Sequence, residues 1–237
     1  GISKMIKSVL GALILLFFFA FAGPMVAQTS ASLPAGLVSW WPGDQAPPLF
    51  EEPFDSIDPV KWTTFGSGPV QIQAGKLFVQ SAISGTTQTT GIVTIQTYSG
   101  DFDAEVEFSE FLYDIPGSHG FVALTLMVQS TLAPLSNIIT FERRIIAGNQ
   151  QISTDFVRNG AHAIYGDSYP GNSGQLRLRR TGSTVTLLYR TSAGVEYVPL
   201  KSGTWLTDPV RFFLFARNDN FGGRVSGKFD NFRDVPR

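Results

Sequence analysis

The chain has 237 residues, 43% of them apolar and 16% charged, a balance that supports a packed core and excludes a largely disordered chain. Eighteen Lys and Arg against nineteen Asp and Glu leave a net charge of -1, which argues against binding of nucleic acid through its phosphates. Cysteine is absent and only two histidines, His119 and His162, occur, so disulfide scaffolds, thiolate zinc sites, cysteine nucleophiles and HExxH zinc helices are excluded.

Residues 1–27 have the pattern of a signal peptide or of a retained membrane anchor. Lys4 and Lys7 precede an apolar run from Val9 to Ala22, and Ala27 provides a small residue before polar sequence. These are the three parts of a secretory signal. As a retained helix, residues 5–23 would cover about 28 Å and cross a bilayer. Both interpretations stay open, and both place the remaining chain outside the cytoplasm, whether secreted, periplasmic or anchored.

The rest of the chain is predicted to be a linker followed by one β domain. Residues 28–48 form the linker, interrupted by one apolar strand at 36–41, and residues 49–237 form the domain. Short runs of β-branched and aromatic residues alternate there with Gly-, Asn- and Ser-rich turns, which is typical of an all-β fold. The predicted strands are 71–80, 90–97, 102–111, 121–129, 138–146, 151–157, 175–180, 184–190, 195–200, 211–216 and 224–232.

Several of these strands alternate with period two. Between Phe102 and Phe108, apolar residues alternate with acidic ones, and Leu176 and Leu178 alternate with arginines. One face of each strand is therefore expected to be buried and the other wet, as in a two-sheet antiparallel β-sandwich or jelly roll. Trp62 and Trp205 are predicted to fill its core. The arginines at 143, 144, 177, 179 and 180 are expected on solvated strand faces.

Three segments resemble concanavalin A-like lectin/glucanase domains. Phe54-Asp-Ser-Ile-Asp-Pro-Val-Lys-Trp62 is similar to their opening, Leu176-Arg-Leu-Arg-Arg-Thr-Gly-Ser-Thr-Val-Thr186 to their central hairpin, and Gly227-Lys-Phe-Asp-Asn-Phe232 to their closing strand. Leu33-Pro-Ala-Gly-Leu-Val-Ser-Trp-Trp-Pro-Gly43 also looks like the first strand of laminin-G-like bacterial domains. The resemblance covers roughly residues 36–233. It implies a fold that carries lectins, glycosidases and structural modules alike.

One acidic run resembles a catalytic motif of that superfamily. Glu105-Val-Glu-Phe-Ser-Glu110 is similar to the glucanase pattern Glu-x-Asp-x-x-Glu, with Glu107 in place of Asp. A retaining glycosidase needs two carboxyls about 5–5.5 Å apart. Pairing Glu105 with Glu110 requires a bulge near Ser109, for which Phe111 leaves room. Because carboxylates on an open wet face are well solvated, we expect no catalysis here.

Two further groups of residues are candidate binding sites. Tyr165, Asp167, Tyr169 and Asn172 lie in a segment interpreted as a turn-rich loop, where aromatic rings and polar groups suit sugar binding. Asp55 and Asp230, near the two ends of the domain, are candidate ligands of a structural Ca²⁺. An uncoordinated surface acid is the alternative for each, so no cofactor is certain.

These observations predict an exported, non-enzymatic β-sandwich that binds a glycan or another surface polymer. The alternative is a membrane-anchored structural subunit that packs against membrane-protein partners, held in the membrane by residues 5–23 if they are not cleaved. A retaining glycosidase is the second alternative. No nucleic-acid partner is expected.

Overall fold

The computed structural model describes residues 50–82, 86–114, 120–219 and 223–235. All of them belong to one compact unit. The predicted N-terminal apolar helix and the strand at 36–41 lie outside the described residues and stay predictions. Within the described ranges, no helix has the length and apolar character needed to cross a bilayer.

The described residues form fifteen β-strands. In chain order these are β1 (Glu51–Glu52), β2 (Trp62–Phe65), β3 (Val70–Gln73), β4 (Lys76–Gln80), β5 (Gln88–Thr94), β6 (Phe102–Asp114), β7 (Phe121–Ser130), β8 (Ile138–Ile146), β9 (Asn149–Arg158), β10 (Ala161–Ser168), β11 (Gly174–Thr181), β12 (Thr184–Arg190), β13 (Val198–Thr204), β14 (Val210–Asn218) and β15 (Arg224–Asp234).

The strands build two antiparallel sheets that stack face to face. Sheet A has the order β13-β12-β11-β6-β15-β4-β3, with β1 paired to β15. Sheet B has the order β10-β9-β8-β7-β14-β5-β2. The predicted two-sheet antiparallel sandwich is therefore confirmed. Chain crossings between the sheets occur, for example, in the β5–β6, β10–β11 and β13–β14 connections.

The core forms because alternate side chains of each strand point between the sheets. In β6, Phe102, Ala104, Val106 and Phe108 are at most 2% exposed, and in β7 the residues Val122, Leu124, Leu126 and Val128 are at most 1% exposed. Trp62 and Trp205 are buried in the same core, as predicted.

Two predicted segments differ from the structure. Residues 161–168 form strand β10, so only residues 169–173 connect it to β11, and the predicted loop at 165–172 is wrong over its first half. The predicted strand at 195–200 begins and ends later, as β13. Both are edge strands, where exposed residues on both faces weaken the two-residue pattern.

The bulge that the acidic run permits is present in β6. Ser226 pairs with Leu112 and Lys228 with Ser109, so three steps along β6 oppose two along β15. Glu110 is the extra residue and has φ = 53°. Because the bulge restores the alternation one residue later, Phe111 returns to the core and is 2% exposed.

Candidate functional site

The outer face of sheet B, turned away from sheet A, carries a compact group of polar residues beside a group of apolar ones. The strand register sorts its side chains into four rows across the sheet, which we number from the β9–β10 turn. Row 1 is His162, Val157, Ile138, Gln129 and Arg211; row 2 is Ile164, Asp155, Thr140, Met127, Phe213, Val93 and Thr63; row 3 is Gly166, Ser153, Glu142, Thr125, Phe215, Gly91 and Phe65; row 4 is Ser168, Gln151, Arg144, Ala123, Arg217 and Thr89.

Glu142 lies at the centre of this face and is 2% exposed. Thr125 donates its hydroxyl to Glu142 Oε1 at 3.4 Å, and Arg144 Nη1 lies 3.8 Å from Oε2. Burial raises the pKa of the Glu142 carboxyl, and the charge of Asp155 raises it further, whereas Arg217 and Arg144 lower it. Since desolvation is the largest cause, this carboxyl holds its proton at a higher pH than an exposed glutamate does.

Next to Glu142, two polar atoms are buried without an internal partner. Ser153 is fully buried, and neither its Oγ nor Asp155 Oδ1 has a hydrogen-bond partner among the described residues. The other oxygen of Asp155, Oδ2, lies 2.9 Å from His162 Nδ1. A buried polar atom without a partner costs about 1–3 kcal/mol. Because both oxygens lie beneath the surface, a ligand that supplies hydrogen bonds reaches them only when the side chains above them move aside.

Apolar side chains flank the polar group in row 1 and on the β14 side. Met127, Ile138, Val157, Phe213 and Phe215 form a second hydrophobic cluster, separate from the main core, with Phe65 and Val93 packed against it. The Phe65 ring meets the rings of Phe213 and Phe215 edge-on, with centroids 6.0 Å and 5.9 Å away. The face therefore combines an aromatic group with carboxylates, hydroxyls and guanidinium groups.

The acidic run of β6 lies on the opposite side of the molecule, on the outer face of sheet A, and its side chains are occupied. The expectation that these acids are wet is wrong for Asp103 and Glu105, which are 2% and 3% exposed. Arg177 binds both carboxylate oxygens of Asp103, at 2.7 and 2.8 Å. Arg233 binds Glu105 at 2.9 Å, and Tyr197 donates its hydroxyl to the same carboxylate.

Long side chains from neighbouring strands cover these acids. Gln175 donates to Glu107 at 2.6 Å, and Lys228 pairs with Glu110 at 2.8 Å. Glu105 and Glu110 thus each have a cationic partner. The expectation that the arginines are solvated is likewise wrong for Arg143, Arg144 and Arg180, which are 1%, 9% and 0% exposed.

The residues predicted to bind sugar lie where β10 meets sheet A. The Tyr165 ring contacts Lys201 Nζ at 4.0 Å from its centroid, and Asp167 accepts a hydrogen bond from the Tyr189 hydroxyl at 3.1 Å. Tyr169 is 4% exposed and donates its hydroxyl to Ser173 O, while Asn172 is exposed. Tyr165 and Asp167 therefore have contacts that fix the edge strand to sheet A, while Tyr169 is held within the β10–β11 crossing. Their sugar-binding role stays a prediction.

The predicted calcium ligands are not brought into a metal-binding cluster. Asp230 pairs with Lys76 at 3.1 Å, and Asp55 is exposed near the start of the domain. In the part of the chain that the structure describes, no three His, Asp or Glu side chains form a group that could hold a metal ion. A calcium site built on Asp55 and Asp230 stays a prediction.

Sequence reasoning missed the outer face of sheet B, although two signals were present. The run from Ile138 to Ile146 places Thr140, Glu142 and Arg144 at alternate positions between apolar residues. In the same way, Arg211 and Arg217 enclose an aromatic run on β14. Only the sheet register places these two strands on either side of β7, with both polar sets on one face.

Two stacked antiparallel sheets of this kind form a concanavalin A-like jelly roll, and solved structures with that fold match the chain. It is similar to a Bacillus licheniformis β-glucanase at 11% identity and a TM-score of 0.58, with 79% of this chain and 98% of the glucanase covered. It is also similar to lectin II from Ulex europaeus at 11% identity and a TM-score of 0.55, with 79% of this chain and 97% of the lectin covered. A functionally unknown protein from Saccharomyces cerevisiae is also similar, at 12% identity and a TM-score of 0.56, with 75% of this chain and 97% of that protein covered.

Similarity at this level of identity shows the fold alone, and that fold is shared by a hydrolase and by lectins. No family model matches the sequence, and no curated protein matches it.

Proposed function

We propose that this protein is a non-enzymatic module that binds a glycan on the outer face of sheet B. The observation that carries the proposal is the pair of buried, unpartnered oxygens, Ser153 Oγ and Asp155 Oδ1, beside the central carboxyl of Glu142. A sugar hydroxyl both donates and accepts hydrogen bonds. It therefore matches a site that offers hydroxyl, carboxylate and guanidinium groups together.

The neighbouring apolar cluster supports the same class of ligand. Phe65 is half-buried at its margin, and Val93 lies opposite Phe213 on the adjacent strand. Binding sites for small molecules commonly pair an apolar lining with a few placed polar groups. A pyranose ring presents an apolar C–H face as well as hydroxyls, so both parts of this surface would be used. The β-glucanase and lectin folds similar to this chain add to this support.

We further propose that the domain works outside the cytoplasm, because a basic start followed by an apolar run precedes it. The alternative role as a structural subunit that packs on membrane-protein partners depends on residues outside the described ranges, and it stays a prediction.

The proposal is tested by removing one hydroxyl. Ser153→Ala should weaken binding of the full-length protein to its best polysaccharide roughly two- to tenfold, because one net hydrogen bond contributes about 0.5–1.5 kcal/mol. Folding stability should not fall, since the hydroxyl has no partner among the residues that the structure describes. The measurement is isothermal titration calorimetry against soluble β-glucan, galactan, xylan and polyuronate.

Thr154→Val is the matched control. The Thr154 hydroxyl is also buried and unpartnered, but it follows the parity of Ile152 and Phe156 and faces the core. The outer face of sheet B would be refuted as the binding site if Ser153→Ala bound as tightly as wild type. Equal losses of affinity in Ser153→Ala and Thr154→Val would refute it as well. Absence of binding to every polysaccharide tested would refute the proposal that the ligand is a glycan.

A glycosidase centred on Glu142 is the second candidate function. Burial raises the pKa of Glu142, as a general acid requires, and Asp155 is its diagonal neighbour on the adjacent strand. Diagonal neighbours of this kind have Cα atoms about 7–8 Å apart, and inverting enzymes hold their two carboxyl groups about 6.5–9.5 Å apart. Release of reducing ends from a polysaccharide that Glu142→Gln abolishes, with binding retained, would favour this function.

A further inference from the structure

We infer that the glycan bound on the outer face of sheet B is anionic, with carboxylate or sulfate groups that are held by Arg211 and Arg217 of β14. This inference deepens the proposed function and rests on it. It is carried by the spacing of the two arginines, by the unpartnered Nε of Arg211 and by the charge of the four rows.

Strand β14 presents four large side chains to the outer face in alternation. Arg211, Phe213, Phe215 and Arg217 lie opposite Gln129, Met127, Thr125 and Ala123 of β7. The two arginines therefore enclose the two rings. At about 3.4 Å per residue, their Cα atoms are roughly 20 Å apart, a length that spans several sugar units.

Arg211 and Arg217 differ in their contacts from the fully buried guanidinium groups of Arg143 and Arg180. Arg143 and Arg180 each donate to backbone carbonyls. By contrast, Arg211 Nε is buried with no partner among the described residues. Arg217 packs its guanidinium over the Phe121 ring, 5.1 Å from the centroid, and its charge lowers the pKa of the Glu142 carboxyl. A guanidinium group with free donors favours anionic acceptors, because these bind it more strongly than neutral acceptors do.

The charges of the four rows point the same way. Arg144, Arg211 and Arg217 face only two carboxylates, those of Glu142 and Asp155. Asp155 is already paired with His162, and Arg144 with Gln151 and Glu142. Arg211 is therefore left without a carboxylate partner in these rows, while Arg217 shares Glu142 with Arg144. Because the chain as a whole has a net charge of -1, this excess is local and not a general basic surface.

The experiment compares charged and neutral polymers of matched backbone with the full-length protein. The pairs are dextran sulfate with dextran and polygalacturonate with its methyl ester, titrated at 50 and 500 mM salt. We expect at least tenfold tighter binding to one charged member than to its neutral partner, with a marked loss at high salt. Which pair shows the difference separates sulfate from carboxylate recognition.

Arg211→Gln and Arg217→Gln should each lower affinity for the charged polymer at least fivefold. Arg217→Lys should recover part of that loss if the variant folds, which circular dichroism checks. Arg179→Gln, an exposed arginine on sheet A, is the matched control and should leave affinity unchanged.

Each outcome decides one of the two proposals. Equal binding to charged and neutral polymers would overturn the anionic ligand and leave the glycan proposal standing. An equal loss of affinity for the charged polymer in Arg179→Gln and Arg217→Gln would show that the attraction is non-specific. That result would also overturn the anionic ligand. Absence of binding to all polymers would refute the proposed function itself.

Discussion

At the scale of single residues, the central glutamate of sheet B is held in an environment that disfavours its charge. Glu142 is 2% exposed, and desolvation outweighs the attraction of Arg217 and Arg144. Because the pKa of Glu142 is raised by folding, the free energy of unfolding depends on pH. The unfolded chain loses this proton as pH rises through about 4.5, whereas the folded protein still holds it, so folding becomes less favourable with rising pH until the folded carboxyl also ionises.

Glu142→Gln should therefore raise the melting temperature at pH 7, where the folded glutamate carries the full desolvation cost. The difference should disappear below about pH 4, where the carboxyl is neutral in both states. Thermal unfolding of both proteins from pH 3.5 to pH 8 measures the effect. Glu196→Gln, at an exposed position, is the control and should change the melting temperature little at any pH. A Glu142→Gln variant that is less stable than wild type at pH 7 would contradict this argument.

At the scale of elements, one glycine sets how closely strands of the two sheets approach. Gly227 of β15 faces Leu124 of β7 across the core, and a Cβ added there would overlap Leu124 Cδ1 and lie 3.1 Å from its Cγ. Leu124 is itself fully buried, so its side chain has no free space to enter. The glycine is needed for close contact between strands and not for a positive φ.

Gly227→Ala should lower the free energy of unfolding by about 1–3 kcal/mol, the usual cost of overpacking a core. Combining it with Leu124→Val should cost less than the sum of the two single changes, because the smaller side chain makes room. Urea denaturation of the four proteins measures the coupling. Gly203→Ala is the control, since its added Cβ would meet nothing nearer than 3.7 Å. Additive losses would show that the contact with Leu124 does not limit the site.

At the scale of the whole molecule, buried arginines hold the connections that run between the sheets. Arg180, on β11 of sheet A, donates through Nε to Gly100 O at 2.8 Å and through Nη1 to Asp208 O at 2.7 Å. These carbonyls lie in the β5–β6 and β13–β14 crossings. Arg143, on β8 of sheet B, donates to Gly171 O in the β10–β11 crossing at 2.6 Å. Burial lowers the pKa of both guanidinium groups.

Arg180→Met should destabilise the protein by about 2–4 kcal/mol, because it removes the hydrogen bonds that a fully buried guanidinium donates to the carbonyls of Gly100 and Asp208. Guanidinium chloride denaturation gives the change. The adjacent Arg179 is exposed, so Arg179→Met should stay within about 0.5 kcal/mol of wild type. Equal stability of the two variants would mean that the crossings do not depend on the buried guanidinium.

The two-sheet fold follows from the sequence because a period of two is a local signal. The alternation from Phe102 to Phe108 defines the core face of β6, and the apolar Phe111 is compatible with the bulge at Glu110. Strands with one wet face, such as β12, show this signal clearly. Edge strand β10 is exposed on both faces and lacks this alternation, so the sequence pattern predicts a loop in its second half.

The candidate site could not be predicted in the same way, because its parts come from strands that only pairing brings together. Glu142 and Ser153 belong to one hairpin, whereas Arg217 comes much later in the sequence, and a shift of one residue in a pairing would turn these side chains to the other face. The sequence alone determined which residues alternate between core and surface. Tertiary structure decided which surface acids are covered by arginines on sheet A and which polar atoms remain unpaired on sheet B, because burial and hydrogen bonding depend on neighbours in space.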